Sequence, residues 1–387
     1  MKINLIIPSF YPAVVYGGPI FSTLNTSKEL VKFDDMEVCV STTNTNMTSK
    51  LDIEVNKDIE IEKNLFVKYY DETIIGKFSL ALFFNIHKDI QKADIVHIQA
   101  VFNTPIPISL FWARFYKKPT VLTPRGGLGN WVMNNGSSFK KLWLKLLIKP
   151  FANYVIWHAT AKQEKEEILE HFPNAQVEII PNGIYVDEFK KYNLVSKQEY
   201  IKKYLNLEVI KIDKIIISMG RLQKKKGFDI LIDSFKLVLK KYPNSYLLIA
   251  GPNEGEKENL LTQIKKLDLE DSVYLIGNIE AQDKIDFLAN ADLFVLPSHN
   301  ENFGNVYLES LATGTPLISS IHTPWEEVEK YDCGRWVNNN IEDTSKAIVE
   351  VLRRDRNDMR KNSLRLASQY DWFSIALQFK KLFDNIT

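Results

Sequence analysis

The feature that most constrains this chain is a rhythm of short, unbroken apolar runs alternating with helix-length amphipathic stretches. In the first half the runs are INLIIPS (3–9), VCVST (38–42), IVHIQA (95–100), TVLTP (120–124) and YVIWHAT (154–160). A run apolar at every position suits a strand covered on both faces, which is the habit of parallel sheets. Helix-length pieces at 19–32, 104–117 and 162–171 lie between them. The second half repeats the scheme with KIIISMG (214–220), SYLLIAG (245–251), SVYLIG (272–277), LFVLP (293–297) and TPLISS (315–320). Helices are predicted there near 227–241, 255–267, 281–289 and 304–313. Strand, helix, strand repeated in this way predicts an α/β chain with two doubly wound parallel sheets. With 387 residues there is room for two domains. The boundary is expected around 190–212, where a Lys-rich stretch carries no buried-strand run, so the domains are drawn as 1–195 and 196–370.

Bulk properties exclude several function classes. Lys plus Arg (49) nearly cancels Asp plus Glu (48), so nothing favours bulk electrostatic capture of nucleic acid, and no nucleic-acid partner is expected. Two cysteines, Cys39 and Cys333, stand far apart in no metal-ligand spacing, which fits a reducing cytoplasm. The apolar start MKINLIIPSF is too short for a signal peptide and reads as a strand. FSLALFFNI (78–86) is about half the length a bilayer span needs, so the chain is expected to be soluble or at most peripheral.

In doubly wound folds ligands sit at the carboxyl ends of strands, so the residues just after the runs carry the information. After the first comes Gly17-Gly18, with Pro19 suited to a first helical turn: an anion cradle or a plain turn. In MGRLQKKKGF, Arg221 and Lys226 flank a loop that Gly227 leads into a helix. Two cations there suit a diphosphate, while Lys224 and Lys225 read as solvated. After LFVLP comes HNENFGNVYLES, with Glu301 in a loop and Glu309 on the second turn of a helix opening near Gly304, on the face of Asn305. Amides of Asn302, Phe303 and Gly304 at that helix mouth are donors for hydroxyls or phosphate. A carboxylate deeper on the helix suits a vicinal diol. Two plain surface acids would explain most pairs with this spacing. The position after a strand, with Asn-Phe-Gly between, favours the functional reading.

Taken in order, GGP near residue 17, IIPNGIYVDEF (179–189), GRLQKKKG (220–227), LFVLPSHNENFGNVYLESLATGTPLI (293–318) and TPWEEV (323–328) resemble the retaining glycosyltransferases of family 4. The resemblance covers essentially the whole chain and is most specific in the last third. It implies the GT-B fold, two Rossmann-like domains facing each other across a cleft, with the terminal helix (about 371–387) packing back on the first. It implies that Arg221 and Lys226 hold the donor diphosphate, with Gly17 and Gly18 approaching from the first domain. Glu309 would bind the ribose, Glu301 the transferred sugar, and Asn302 to Asn305 would border it, while Gly277, Asn278 and Ile279 would border the base. The catalytic set is then Glu301, Arg221 and Lys226. Many members carry a histidine after the strand at 120–124, whereas this chain has LTPRGGLGNW, with Arg125 and Gly126 at that place. Arg125 either meets an acceptor phosphate or pairs structurally with a carboxylate.

His97 and His158 end strands and read first as core residues, and His299 reads as a loop residue near Glu301. Neither an H-x-x-x-H nor a D-x-D pattern occurs, so a metal is not expected, and no cofactor is called for. In SFKKLWLKLLIK (138–149) a helix would gather Phe139, Leu142, Trp143, Leu146 and Leu147 opposite Lys140, Lys141, Lys145 and Lys149. Such a helix serves either a membrane surface or its own domain's core. The partners expected are a UDP- or GDP-sugar donor and a saccharide or lipid-linked saccharide acceptor, in bacterial surface polysaccharide assembly at the inner face of the membrane. The rivals are an epimerase or sugar phosphorylase on the same fold, and a non-catalytic nucleotide-sugar-binding protein.

Overall fold

A computed structural model describes residues 1–74, 78–129, 132–133 and 139–387. They form two compact units, Met1–Gly183 together with Trp372–Thr387, and Ile184–Asp371. The final helix, Trp372–Ile386, thus belongs to the first unit, where it buries Ile375, Ala376, Phe379 and Phe383.

The first unit holds β1 (Lys2–Ser9), β2 (Glu37–Thr43), a two-stranded ribbon of β3 (Thr45–Asn46) and β4 (Ser49–Lys50), β5 (Asp58–Glu62), β6 (Leu65–Tyr70), β7 (Ile95–Gln99), β8 (Thr120–Thr123), β9 (Ile156–Ala159) and β10 (Gln176–Ile179). Its main sheet has the order β10-β9-β8-β7-β1-β2-β6-β5. All neighbours are parallel except β5 against β6. The five predicted runs lie centrally and are buried, as continuous apolar strands must be when helices cover both faces. β6 was not predicted because Lys68 interrupts its apolar run. Here Lys68 is neutralised by Asp89 at 2.6 Å and Asp58 at 3.2 Å, which lets LFVKYY pair alongside β2. The edge strands DIEIE and QVEI, half polar, carry no buried-strand signature.

The second unit has β11 (Ile215–Met219), β12 (Tyr246–Ala250), β13 (Val273–Gly277), β14 (Leu293–Leu296), β15 (Leu317–Ser320) and β16 (Gly334–Val337), in the parallel order β13-β12-β11-β14-β15-β16. β11, β14 and β15 are buried at every position. In each sheet the strand order reverses once, between β1 and β7 in the first unit and between β11 and β14 in the second. The chains leaving neighbouring strands diverge at such a reversal and open a crevice at their carboxyl ends.

Candidate functional site

At the reversal in the second unit, the loops leaving β11 and β14 are pressed together. Gly227 takes φ +68°, and a Cβ there would lie 2.1 Å from the carbonyl oxygen of Pro297, so the position requires glycine. His299 N–H donates to the Lys225 carbonyl at 2.8 Å. This closeness sets Lys226, in the turn Lys224–Lys226 before the helix Phe228–Leu239, against Glu301. The Lys226 ammonium donates to Glu301 Oε1, and the Ser298 hydroxyl donates to the same oxygen at 3.1 Å. Both side chains are nearly buried, 14% and 10% exposed. Burial pushes the Glu301 carboxyl up, but the charges of Lys226 and Lys225 and the hydrogen bonds from Lys226 and Ser298 outweigh it, leaving a net lowered pKa. Glu301 is therefore an ionised hydrogen-bond acceptor at neutral pH.

The helix after Glu301 runs Asn305–Ala312, with Gly304 at φ +75° as its N-cap. Phe303 is buried in the core, its ring 5.2 Å from that of Trp325, and its carbonyl accepts the Trp325 indole N–H at 2.6 Å. Glu309 lies on this helix and pairs with Lys284 at 2.8 Å. Arg221, 60% exposed, donates through one guanidinium nitrogen to both oxygens of Glu254 at 3.1 and 3.4 Å, and Gln223 donates to the same carboxylate. Gly277 ends β13 at φ +81° with open space where a Cβ would be. Asn278 donates to Glu280 at 2.6 Å, and Ile279 packs against the core. The sequence reading did not name Ser298, Lys284 or Glu254. Lys284 and Glu254 lie on other strand-exit elements, at separations without short-range spacing.

In the first unit, Gly17 (φ +73°) caps the helix Gly18–Leu30 with nothing within 4 Å of its missing Cβ. Arg125 stands at φ +55° and donates to Gln99 at 2.6 Å, Thr23 at 3.1 Å and Asn182 at 3.3 Å. Burial lowers its pKa to about 10, against a smaller opposing pull from Glu164. Glu164 accepts the Gly126 N–H at 2.7 Å. His97 and His158 lie on either side of the Thr123 hydroxyl, at 2.9 and 2.8 Å, and both rings are buried against Phe379. Burial drives the His97 pKa well down and that of His158 to about 3, so both rings are neutral.

Ser138 of the segment 138–149 lies outside the described residues. The rest is not one α-helix: Phe139–Trp143 is α-helical, and Leu144–Ile148 widens into a π-turn. That widening rotates the faces. Leu144 and Ile148 are buried and the Trp143 indole donates to the Val101 carbonyl at 2.8 Å, while Phe139, Leu142, Leu146 and Leu147 are exposed. The predicted apolar face is thus split, with Trp143 turned toward the domain. Among the described residues no helix is long and apolar enough to cross a membrane, and no cluster of three or more His, Cys, Asp or Glu has metal-ligand grouping.

Two family models match the chain: Glycosyltransferase Family 4 over residues 16–188 and Glycosyl transferases group 1 over residues 205–365. An uncharacterized glycosyltransferase of Methanocaldococcus jannaschii is 36% identical over 199 residues, 49% of this chain and 47% of that one. Alpha-monoglucosyldiacylglycerol synthase of Streptococcus pneumoniae is 27% identical over 325 residues, 82% of this chain and 71% of that one. The chain spans about half the length of the first curated relatives it matches. In structure it is similar to Anabaena HepE, solved in complex with UDP and glucose, with a TM-score of 0.73, 17% identity and all of both chains covered. At that identity the likeness speaks for the fold alone, which is GT-B.

Proposed function

Because the chain belongs to the family 4 glycosyltransferases, we propose that it transfers a sugar from a UDP- or GDP-sugar to an acceptor hydroxyl, with retention and without a metal. The observation that carries this reading is the buried Lys226–Glu301 pair at the strand reversal of the second unit, on the same strand-exit rim as Arg221 and Glu309. In this reading the second unit binds the donor and the first the acceptor.

The reaction breaks the bond between the anomeric carbon and the leaving phosphate oxygen as the acceptor oxygen bonds to that carbon on the same face. The leaving phosphate takes the acceptor proton. Negative charge builds on the departing diphosphate, and stabilising it is the main electrostatic task. Lys226 and Arg221 serve that task. Glu301, held ionised, accepts hydroxyls of the transferred sugar and has no proton to give, which suits positioning rather than general acid work. Glu309 takes the ribose diol, the backbone at Asn302 to Asn305 meets the sugar, and Gly277 to Ile279 border the base. The acceptor is read as a lipid-linked saccharide in surface polysaccharide assembly on the inner face of the membrane. The relative bearing a glycolipid synthase name and the exposed Phe139, Leu142 and Leu146 beside four lysines support that class.

The test is thermal stabilisation by UDP, GDP, ADP and their sugars, without added metal, in wild type and Lys226→Ala. Ligand that binds only the folded state raises the melting temperature. A shift with one nucleotide family that fades in the variant is expected; no shift with any of them refutes the donor assignment.

A further inference from the structure

The first unit has its own strand reversal, between β1 and β7, and a cavity of about 100 Å³ lies there. Ser9 and Tyr16 from the exit of β1, Thr43 at the end of β2 with Thr45 beyond it, and Asn103 beyond β7 line it, together with Glu72 and Phe78. Room for about three waters accepts one edge of a sugar ring. Glu72 is 3% exposed, and among the described residues its Oε2 atom has no hydrogen-bond partner. A buried carboxylate oxygen without a protein partner is costly, so Glu72 has acceptor capacity to spare in this wall. Its surroundings hold it in place: Glu72 N–H donates to Asn44 Oδ1 at 2.9 Å, and Asn44 donates to Asp71 at 3.0 Å. Tyr16 and Thr45 are hydrogen-bonded to each other at 3.1 Å across the wall. The helix Pro105–Phe115 begins at the rim, and its N-terminal field favours an anion there.

An ionised carboxylate repels a phosphate and accepts from neutral O–H and N–H groups. Walls rich in hydroxyls, with the rings of Tyr16 and Phe78 among them, suit a saccharide better than a lipid tail. We propose that this cavity is the subsite for the acceptor's terminal sugar, and that Glu72 selects it by accepting hydrogen bonds from its hydroxyls. The assignment rests on the glycosyl-transfer reading and adds the determinant of acceptor choice. It places that determinant at Glu72, apart from Arg125, which is held by Gln99, Thr23 and Asn182 through one bond from each of its three nitrogens.

The test uses the full chain and saturation-transfer NMR with methyl glycosides of hexoses, 6-deoxyhexoses and N-acetylhexosamines, with and without nucleotide. At least one glycoside should bind wild type, and Glu72→Gln should weaken it tenfold or more while leaving nucleotide and nucleotide-sugar affinity unchanged. The same variant, relieved of a buried carboxylate oxygen that lacks a partner among the described residues, should melt higher than wild type. The proposal is overturned if no glycoside binds, if Glu72→Gln binds it equally, or if the variant melts lower, which would show a structural partner. It is also overturned if the variant loses nucleotide-sugar affinity, which would assign the cavity to the donor. Failure of nucleotide to bind wild type would sink the donor reading alone, since glycoside binding is scored separately.

Discussion

Replacing Lys226 with Met removes one half of an ion pair whose members are 14% and 10% exposed. Truncating one partner of a buried pair costs about 3–5 kcal/mol, because the other charge is stranded. Glu301 keeps the Ser298 hydroxyl at 3.1 Å and the field of Lys225, so the lower end, about 3 kcal/mol, applies. The second unit spans 184 to 371, or 371 − 184 + 1 = 188 residues. At that size the loss corresponds to a fall in melting temperature of about 6–12 °C. The pH dependence is the sharper check. In wild type the folded pKa of Glu301 is depressed, so its contribution is present above the ordinary carboxylate range and disappears only as pH falls through the folded value. Between pH 5 and 8 that contribution is constant. In Lys226→Met the burial effect loses its main opponent and the Glu301 pKa rises. Stability is then recovered by protonation as pH falls and lost again as pH rises. The deficit measured by calorimetry should therefore be smaller at pH 5 than at pH 8, and Glu301→Gln added to Lys226→Met should restore most of it. Equal deficits at both pH values, or a double variant no better than the single, would refute the reasoning.

Three further outcomes are expected. His158 is held neutral with its pKa down to about 3, so the first unit should lose stability as pH falls below about 6.5; in His158→Gln that slope should flatten by about 1.4 kcal/mol per pH unit between pH 6 and 5, read by calorimetry. Glu309→Ala should raise the nucleotide dissociation constant about tenfold, or ~1.4 kcal/mol, with a stability loss of about 1 kcal/mol at most, and calorimetric titration reads the first term. Glu254→Gln, by releasing Arg221, should strengthen binding of the diphosphate by about 2–5-fold at low salt, within the worth of an exposed ion pair, with the gain shrinking as salt rises.

The ten predicted strands announced themselves in the sequence because each carries an apolar run flanked by a helix-length segment. β6 did not, since the sequence shows Lys68 but not the Asp89 and Asp58 that neutralise it from separate elements. The same limit governs the site. Arg221, Lys226, Glu301 and Glu309 could be proposed because each follows a strand, and strand ends are where a parallel sheet presents its loops. That Lys226 and Glu301 would bond each other depends on β11 and β14 being neighbours, which is sheet order and not sequence order. Glu72 was invisible for a related reason. It follows β6, whose pairing to β2 brings it to the reversal, and nothing about a lone Glu near a weak strand marks a buried, unpartnered oxygen. The segment 138–149 misled through geometry: helical spacing assigns faces correctly only if the helix stays α, and the π-turn at Leu144–Ile148 turns Trp143 and Leu144 toward the domain.

The two cations assigned to the diphosphate are paired in different ways, and the difference implies different work. Arg221 meets Glu254 at 60% side-chain exposure, where an ion pair is worth about 0–1 kcal/mol, so an incoming diphosphate can take the guanidinium at little cost. Its rigid fork then offers two parallel N–H groups to phosphate oxygens. Lys226 is fixed to Glu301 in near burial, and pulling it away would strand a carboxylate. An ammonium has three N–H donors, however, so Lys226 can keep Glu301 and still donate to phosphate. Charge on the diphosphate and hydroxyls on the sugar are then read by one linked pair. A donor that seats its phosphates on Lys226 without offering hydroxyls to Glu301 forfeits half of the arrangement. Under the proposed assignment this coupling would favour nucleotide sugars over nucleotides alone, and the preference would lie in the contact between β11 and β14 rather than in either loop by itself.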